Sequence, residues 1–213
     1  MATYDLDEQE RLDELKAWWK RWGSLIFLAL AVILAATAGW RYWQNRVVTQ
    51  NLHAAAVYQN FTELLGSSDT RAAREAGAIL IDQYGSTPYA ARAALLLAKQ
   101  NVADKDLKSA QTQLEWAVAN SKEPAVKDLA RLRLAGVQLD QQDYDAALKS
   151  LSGTHSDAFA FRFDDLRGDV LLAQGKPAEA RAAYEKSYAA LDEGHPYRSI
   201  VELKLDGLGG ASK

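Results

Sequence analysis

The chain has 213 residues, with 25 Lys and Arg against 28 Asp and Glu, so its formal net charge at pH 7 is −3. Because basic residues form no block beyond the flanks of one apolar segment, the sequence lacks the positive footprint of nucleic-acid-binding proteins, and no nucleic acid is expected as a partner. Cysteine is absent, which excludes disulfide bonds, thiolate nucleophiles and cysteine-ligated metals.

Residues 1–21 form a short charged tail that is predicted to be cytoplasmic and to end in the membrane interface. Leu12, Leu15, Trp19 and Trp22 recur at helical spacing, which indicates an amphipathic turn or two lying at the headgroup level. A solvated acidic tail is an equally good interpretation of the same residues.

An uncharged, mostly apolar run extends from Trp22 to Trp40 and stops at charged residues on both sides. As a helix it would be roughly 28 Å long, close to the hydrocarbon thickness of a bilayer, so a transmembrane anchor is predicted over residues 22–43. Aromatic side chains suited to the headgroup level frame the run. These predicted interface anchors are Trp18, Trp19, Trp22, Trp40, Tyr42 and Trp43.

The distribution of positive charge predicts the orientation of this anchor. The flanking cations are Arg11, Lys16, Lys20 and Arg21 before the run, and Arg41 and Arg46 after it. Because Lys and Arg favour the cytoplasmic side, the N-terminus is predicted to be inside. A cleaved signal peptide remains the alternative, since Ala36-Thr37-Ala38 matches a processing site.

Residues 44–213 are predicted to form an all-α domain on the periplasmic side. Good helix formers dominate, and no stretch alternates apolar and polar residues for the length of a strand. The absence of cysteine also suits a compartment in which stray thiols would oxidise. An irregular hairpin is expected from about Ala54 to Tyr84, before a more regular pattern begins.

That pattern is an internal repeat in which a small residue is followed by an alanine on the next helix and then by a large apolar residue. The three copies are Ala98, Ala110 and Leu114; Ala135, Ala147 and Leu151; and Gly168, Ala180 and Tyr184. Their starts are 37 and 33 residues apart, close to a tetratricopeptide unit of about 34 residues. Small residues mark where paired helices cross, and the large residue is expected to fill the seam between units.

Short polar connectors separate the two helices of each unit. Asp104, Asp143 and Pro177 are predicted to cap or start the second helices. A final helix from Pro196 to about Leu208 is expected to cover the exposed end of the repeat array.

No constellation of residues indicates catalysis, a metal or a cofactor. His53, His155 and His195 lie in different units without ligand spacing, and no catalytic motif occurs. A partner would instead contact the first helices of the units, which line the concave face of such arrays. The residues predicted for this groove are Arg92, Lys99, Arg162, Asp165 and Asp169. A plain solvated face is the alternative, because their mixed charge favours no particular ligand.

Five segments carry a resemblance to a known family. They are residues 39–43 (GWRYW), 89–99 (YAARAALLLAK), 131–139 (RLRLAGVQL), 165–176 (DLRGDVLLAQGK) and 204–206 (KLD). With the tail, anchor and repeats in this order, the chain resembles the ancillary SecYEG translocon subunit family of Gram-negative bacteria.

The resemblance implies a single-pass inner-membrane protein that associates with SecYEG and with the periplasmic chaperone PpiD. Such a protein would be a non-enzymatic adaptor that helps hand exported, unfolded clients to folding factors. Two other functions stay open: a membrane-bound regulator that sequesters a cytoplasmic stress-response protein through its tail, and a cleaved, soluble periplasmic scaffold.

Overall fold

The computed structural model describes residues 3–67 and 69–209, with side chains from Arg11 onward. Within these ranges the chain forms nine α-helices and no strand, which confirms the predicted all-α fold. The helices are α1 (Thr3–Gly66), α2 (Thr70–Gln83), α3 (Pro88–Ala103), α4 (Leu107–Asn120), α5 (Pro124–Asp140), α6 (Tyr144–Ser150), α7 (Asp157–Ala173), α8 (Pro177–Ala189) and α9 (Arg198–Gly207). Residues 1, 2, 68 and 210–213 of the predicted tail and repeat domain lie outside the described residues.

The chain divides into two compact units, Met1–Gln50 and Asn51–Lys213. In the described part of the first unit there is one element, the N-terminal part of α1. This helix contains a segment long and apolar enough to cross a membrane, and only 6% of that segment is buried within the protein. Large apolar side chains such as Phe27 and Leu34 are both 61% exposed.

The second unit is a succession of helical hairpins. α3 packs on α4, α5 on α6 and α7 on α8, and each pair is joined by a short turn. The end of α1 contributes Ala54 and Phe61 to an apolar cluster with α2 and α3. At the other end, α9 packs on α8 and buries Val201, as expected for a helix that covers the last hairpin.

All nine residues of the predicted repeat are buried in these hairpins. Gly168 shows the packing reason most clearly, because a Cβ added there would lie 2.4 Å from Cε1 of Tyr184. The tyrosine ring therefore lies directly against the backbone of α7. Tyr184 also meets α9, since Nζ of Lys204 lies 5.3 Å from the centre of its ring.

The three hairpin turns share one backbone geometry. Lys105, Gln142 and Gly175 have φ values of 62°, 63° and 75°, in the left-handed region. In each turn the residue that follows donates its backbone N–H to a carbonyl five residues back, which is the bond that closes a Schellman motif. The same turn thus recurs at the same place in each repeat.

This turn also corrects one predicted cap. Asp143 and Pro177 lie where they were predicted, as N-cap and first residue of α6 and α8. Asp104 instead ends α3, and the N-cap of α4 is Asp106, whose carboxylate accepts the backbone N–H of Ser109. The reason is that the left-handed residue Lys105 must come between the two helices, which moves the cap two positions later.

Candidate functional site

The predicted interface anchors all project from the exposed surface of α1. Trp18 and Trp19 are each 50% exposed, and their ring centres lie 6.4 Å apart. At the other end of the apolar segment, Trp40 and Trp43 have ring centres 5.4 Å apart, and Tyr42 is 69% exposed. Aromatic side chains therefore flank the apolar segment on both sides, as in a helix that crosses a bilayer.

Of the predicted groove residues, Arg92 and Lys99 lie on α3. Nη2 of Arg92 is 2.8 Å from a carboxylate oxygen of Glu123, at the start of α5, so this cation already has a partner within the chain. Lys99 is exposed and lines an open cleft between α3 and α5.

The remaining three groove residues lie on α7 and contact the terminal region of the chain. The guanidinium of Arg162 lies 4.6 Å from the ring centre of Tyr197. Asp165 is 4% exposed and accepts hydrogen bonds from the Tyr197 hydroxyl at 2.6 Å and from Nζ of Lys204 at 2.8 Å. Asp169 accepts from the same lysine at 2.7 Å. In this structure α9 and the residues before it therefore cover the α7 part of the predicted surface.

The carboxylates of this cluster change the acid–base behaviour of two tyrosines. Burial raises the pKa of Tyr184 above its ordinary value, and the hydrogen bond that its hydroxyl donates to Asp169 raises the pKa further. The pKa of Tyr197 is raised in the same way, first by burial and then by the bond to Asp165. Both phenols thus stay protonated and hold α7, α8 and the terminal region together.

A mainly apolar cleft with a volume of about 380 Å³ lies between α3 and α5; we call it the α3–α5 cleft. Its lining residues are Ala98, Lys99, Val102, Leu114, Arg133, Gly136, Val137 and Asp140. Lys99 was predicted from the sequence as a groove residue, but Arg133 and Gly136 were not. The repeat pattern could have indicated Gly136, since it occupies the repeat position that Lys99 and Asp169 occupy in the neighbouring units.

A second, polar cleft lies beside the long connection between α6 and α7 and is lined by His155 and Arg131, among others. The Arg131 guanidinium donates to the carbonyls of Ser150, Ser152 and Thr154 and so fixes this connection. The adjacent Asp128 carboxylate accepts the Ser156 backbone N–H at 3.0 Å. Since these polar groups satisfy one another, the contacts indicate a structural role.

The histidines show no arrangement suited to chemistry. His155 stacks on Phe163 with ring centres 4.4 Å apart, and Nδ1 of His195 accepts the backbone N–H of Tyr197 at 3.1 Å. His53 is exposed on α1. Among the described residues, no group of three or more His, Asp or Glu side chains is placed to hold a metal ion.

The repeat unit consists of stacked helical hairpins with small buried residues at the helix crossings. A helix apolar enough to cross a membrane precedes it. Together these features define a tetratricopeptide repeat-like protein with an N-terminal membrane-type helix. A family profile described as "Tetratricopeptide repeat-like domain" matches residues 16–210. Comparison with individual proteins narrows this class to one family.

A protein of Neisseria gonorrhoeae named "Ancillary SecYEG translocon subunit" is 32% identical over 98% of this chain and 100% of its own length. A protein of the same name from Escherichia coli is 30% identical over 98% of this chain and 99% of its own length. One from Haemophilus influenzae is 28% identical over 97% of this chain and all of its own length. The chain belongs to the ancillary SecYEG translocon subunit family.

Proposed function

We propose that this chain is a non-enzymatic adaptor, tethered to the bacterial inner membrane, that links the SecYEG translocon to the periplasmic chaperone PpiD and assists the hand-over of exported proteins. The observation that carries the proposal is the alignment, over nearly their whole lengths, with relatives named as ancillary subunits of SecYEG. The exposed apolar segment and the repeat unit supply the two parts that such an adaptor needs: a tether and a binding surface.

The tail at residues 1–21 is cytoplasmic in this proposal, residues 22–43 cross the membrane, and residues 44–213 are periplasmic. The greater number of Lys and Arg before the apolar segment supports this orientation. The exposed tryptophans at both ends of the segment support direct contact with lipid headgroups. No nucleic acid has a part in this function.

A membrane tether lowers the binding affinity that the repeat unit needs for its partners. Confining a binding surface near the translocon raises its effective concentration to the millimolar range for short linkers, so weak contacts suffice. An adaptor that hands a client onward must also release it, and weak contacts have short lifetimes. We therefore expect individual affinities for the chaperone and for unfolded clients to be modest.

Cross-linking in native membranes, followed by mass spectrometry, tests the association. Photo-reactive residues at Val48 and Leu52, which are 57% and 67% exposed, should capture SecYEG subunits or PpiD. The same probe at Lys108, exposed on α4, is the control for random collisions. Capture of neither partner at any probe position on the full-length protein would refute the proposal.

Protease protection tests the orientation separately. Protease added to spheroplasts should degrade the repeat unit and leave a small membrane-embedded N-terminal fragment. An intact C-terminal unit would contradict the proposed orientation. The mass of the mature protein decides the cleaved-scaffold alternative, because processing after Ala38 would remove the N-terminal segment.

A further inference from the structure

Gly136 occupies a helical position where packing does not require a glycine. A Cβ added there would meet no atom within 4 Å, whereas a Cβ at Gly77 or Gly168 would lie 2.7 Å or 2.4 Å from a neighbouring side chain. Glycine in the interior of a helix is less stable than alanine by roughly 0.5–1 kcal/mol. The missing side chain therefore has another effect, which is to leave open the α3–α5 cleft that Gly136 lines.

The floor of the α3–α5 cleft is apolar. Leu114 and Val137 are 1% and 4% exposed and belong to the core of the repeat unit, and Ala98 lies beside them. Val102, on the cleft wall, is 37% exposed. The volume of about 380 Å³ is near the lower end for ligand sites, so it suits one large apolar side chain better than a cofactor.

Positive charge lies beside this apolar floor. Lys99 and Arg133 both line the cleft, against one carboxylate, that of Asp140. In the described part of the chain neither cation is within ion-pair distance of a carboxylate. Nη1 of Arg133 donates to the Leu95 carbonyl at 3.3 Å. Partial burial lowers the pKa of Arg133, but the side chain remains exposed, so a carboxylate of a partner could approach the guanidinium from solvent.

We propose that the α3–α5 cleft binds a peptide segment of a partner protein in which a large apolar side chain is adjacent to acidic residues. The apolar side chain would enter the space above Leu114 that Gly136 leaves open, and the carboxylates would contact Lys99 and Arg133. This inference rests on the proposed adaptor function and names the chemistry of the segment that its repeat unit would recognise.

Three fluorescent peptides test the recognition against the full-length protein in lipid nanodiscs by fluorescence anisotropy. The first has a central leucine flanked by Asp and Glu, the second replaces the leucine by serine, and the third replaces the acidic residues by lysine. The first should bind at least about tenfold more tightly than the second, because the leucine side chain loses its apolar contacts. It should also bind more tightly than the third, by a factor that falls as salt is raised.

Gly136→Leu fills the cleft and should weaken binding of the first peptide at least about tenfold. The variant is expected to fold, because leucine has the higher helix propensity and the site has free space. Ala119→Leu adds an equally large side chain at an exposed position of α4 outside the cleft and is the matched control. Lys99→Glu should reduce or reverse the preference for acidic over basic flanks.

Equal binding of all three peptides, or an unchanged affinity in Gly136→Leu, overturns the proposal. So does a self-associated protein whose dimer is lost in Gly136→Leu, since a second copy would then be the occupant. Cross-linking to the translocon is scored in parallel on the wild type. If peptides are discriminated but translocon cross-links are absent, the adaptor function fails; if cross-links persist without discrimination, only the cleft proposal fails.

Discussion

Substituting alanine at Gly168 and at Gly136 should change stability in opposite directions, although both glycines are in helix interiors. At Gly168 the added Cβ would lie 2.4, 2.5 and 2.8 Å from three ring atoms of Tyr184. Carbon atoms pack best at about 3.5–4.0 Å, so the ring or helix α7 must move by roughly 1 Å. The ring has little freedom to move, because Tyr184 is 1% exposed and its hydroxyl is bonded to Asp169 at 2.8 Å.

The expected change in the free energy of unfolding is the difference between a packing cost and a gain in helix propensity. Forcing an extra methyl group into a packed core costs about 1–3 kcal/mol, whereas exchanging glycine for alanine in a helix stabilises by about 1 kcal/mol. Since the Tyr184 ring is fixed, we expect a packing cost in the upper part of its range, about 2–3 kcal/mol. Subtracting the gain of about 1 kcal/mol in helix propensity, Gly168→Ala should lower the free energy of unfolding by about 1–2 kcal/mol. Gly136→Ala has free space and should raise it by about 0.5–1 kcal/mol.

Urea denaturation of the full-length protein in detergent micelles, followed by far-ultraviolet circular dichroism, measures both effects. A double-mutant cycle with Tyr184→Leu separates steric conflict from any other effect: relative to the Tyr184→Leu single variant, which loses buried contacts of its own, the added alanine at 168 should cost much less than it does in the wild type. If Gly168→Ala is as stabilising as Gly136→Ala, the assignment of Gly168 as a required close-contact position is wrong.

Three further predictions concern the turns, the long connection and the terminal cluster. Gln142→Gly should raise the free energy of unfolding by about 0.5–1 kcal/mol, and Gly175→Ala should lower it by about 1 kcal/mol, because both positions are left-handed. Arg131→Ala should lower it by about 3 kcal/mol, since three carbonyls lose a charged donor in a nearly buried site. Stability should fall as the pH rises above 10, because Tyr184 and Tyr197, whose folded pKa values are raised, keep protons that the unfolded chain releases.

Each of these predictions has its own control. Chemical denaturation midpoints test the turn variants, and a fall in stability for Gln142→Gly would contradict the turn assignment. The control for Arg131→Ala is Arg71→Ala, which removes a largely exposed ion pair and should change stability by less than about 0.5 kcal/mol. Tyr197→Phe should weaken the pH dependence between 9.5 and 11, roughly the range in which free phenols titrate; an unchanged slope would show that the phenol is not responsible.

The repeat pattern was predictable from sequence because its cause is local and periodic. Ala98, Ala135 and Gly168 recur because helices that cross closely tolerate only small side chains there, and all three are buried in the structure. The cap at Asp104 was wrong because the sequence Asp104-Lys105-Asp106 offers two carboxylates, and only the backbone turn decides between them.

Contacts between distant segments were not predictable in the same way. The α7 residues Asp165 and Asp169 have a register typical of a groove, yet Lys204 lies 35 or more positions later and reaches both carboxylates. Nothing in the local pattern states where α9 will pack. The hydrogen bonds from Arg131 to the connection after α6 were unpredictable for the same reason, because α6 is only 7 residues long and the connection between α6 and α7 lies outside the repeat pattern.

One register position shows how the repeats divide structure from recognition. Lys99, Gly136 and Asp169 each follow the small residue that the helix crossing requires. The helix crossing does not require a small side chain at this position, so the residue type differs between units. In the last unit this position is Asp169, which binds Lys204 of α9. In the first two units it is Lys99 on α3 and Gly136 on α5, and both residues line the apolar α3–α5 cleft. The crossing residues thus keep the hairpins in register, while the neighbouring position decides whether a unit binds a helix of its own chain or presents an open cleft.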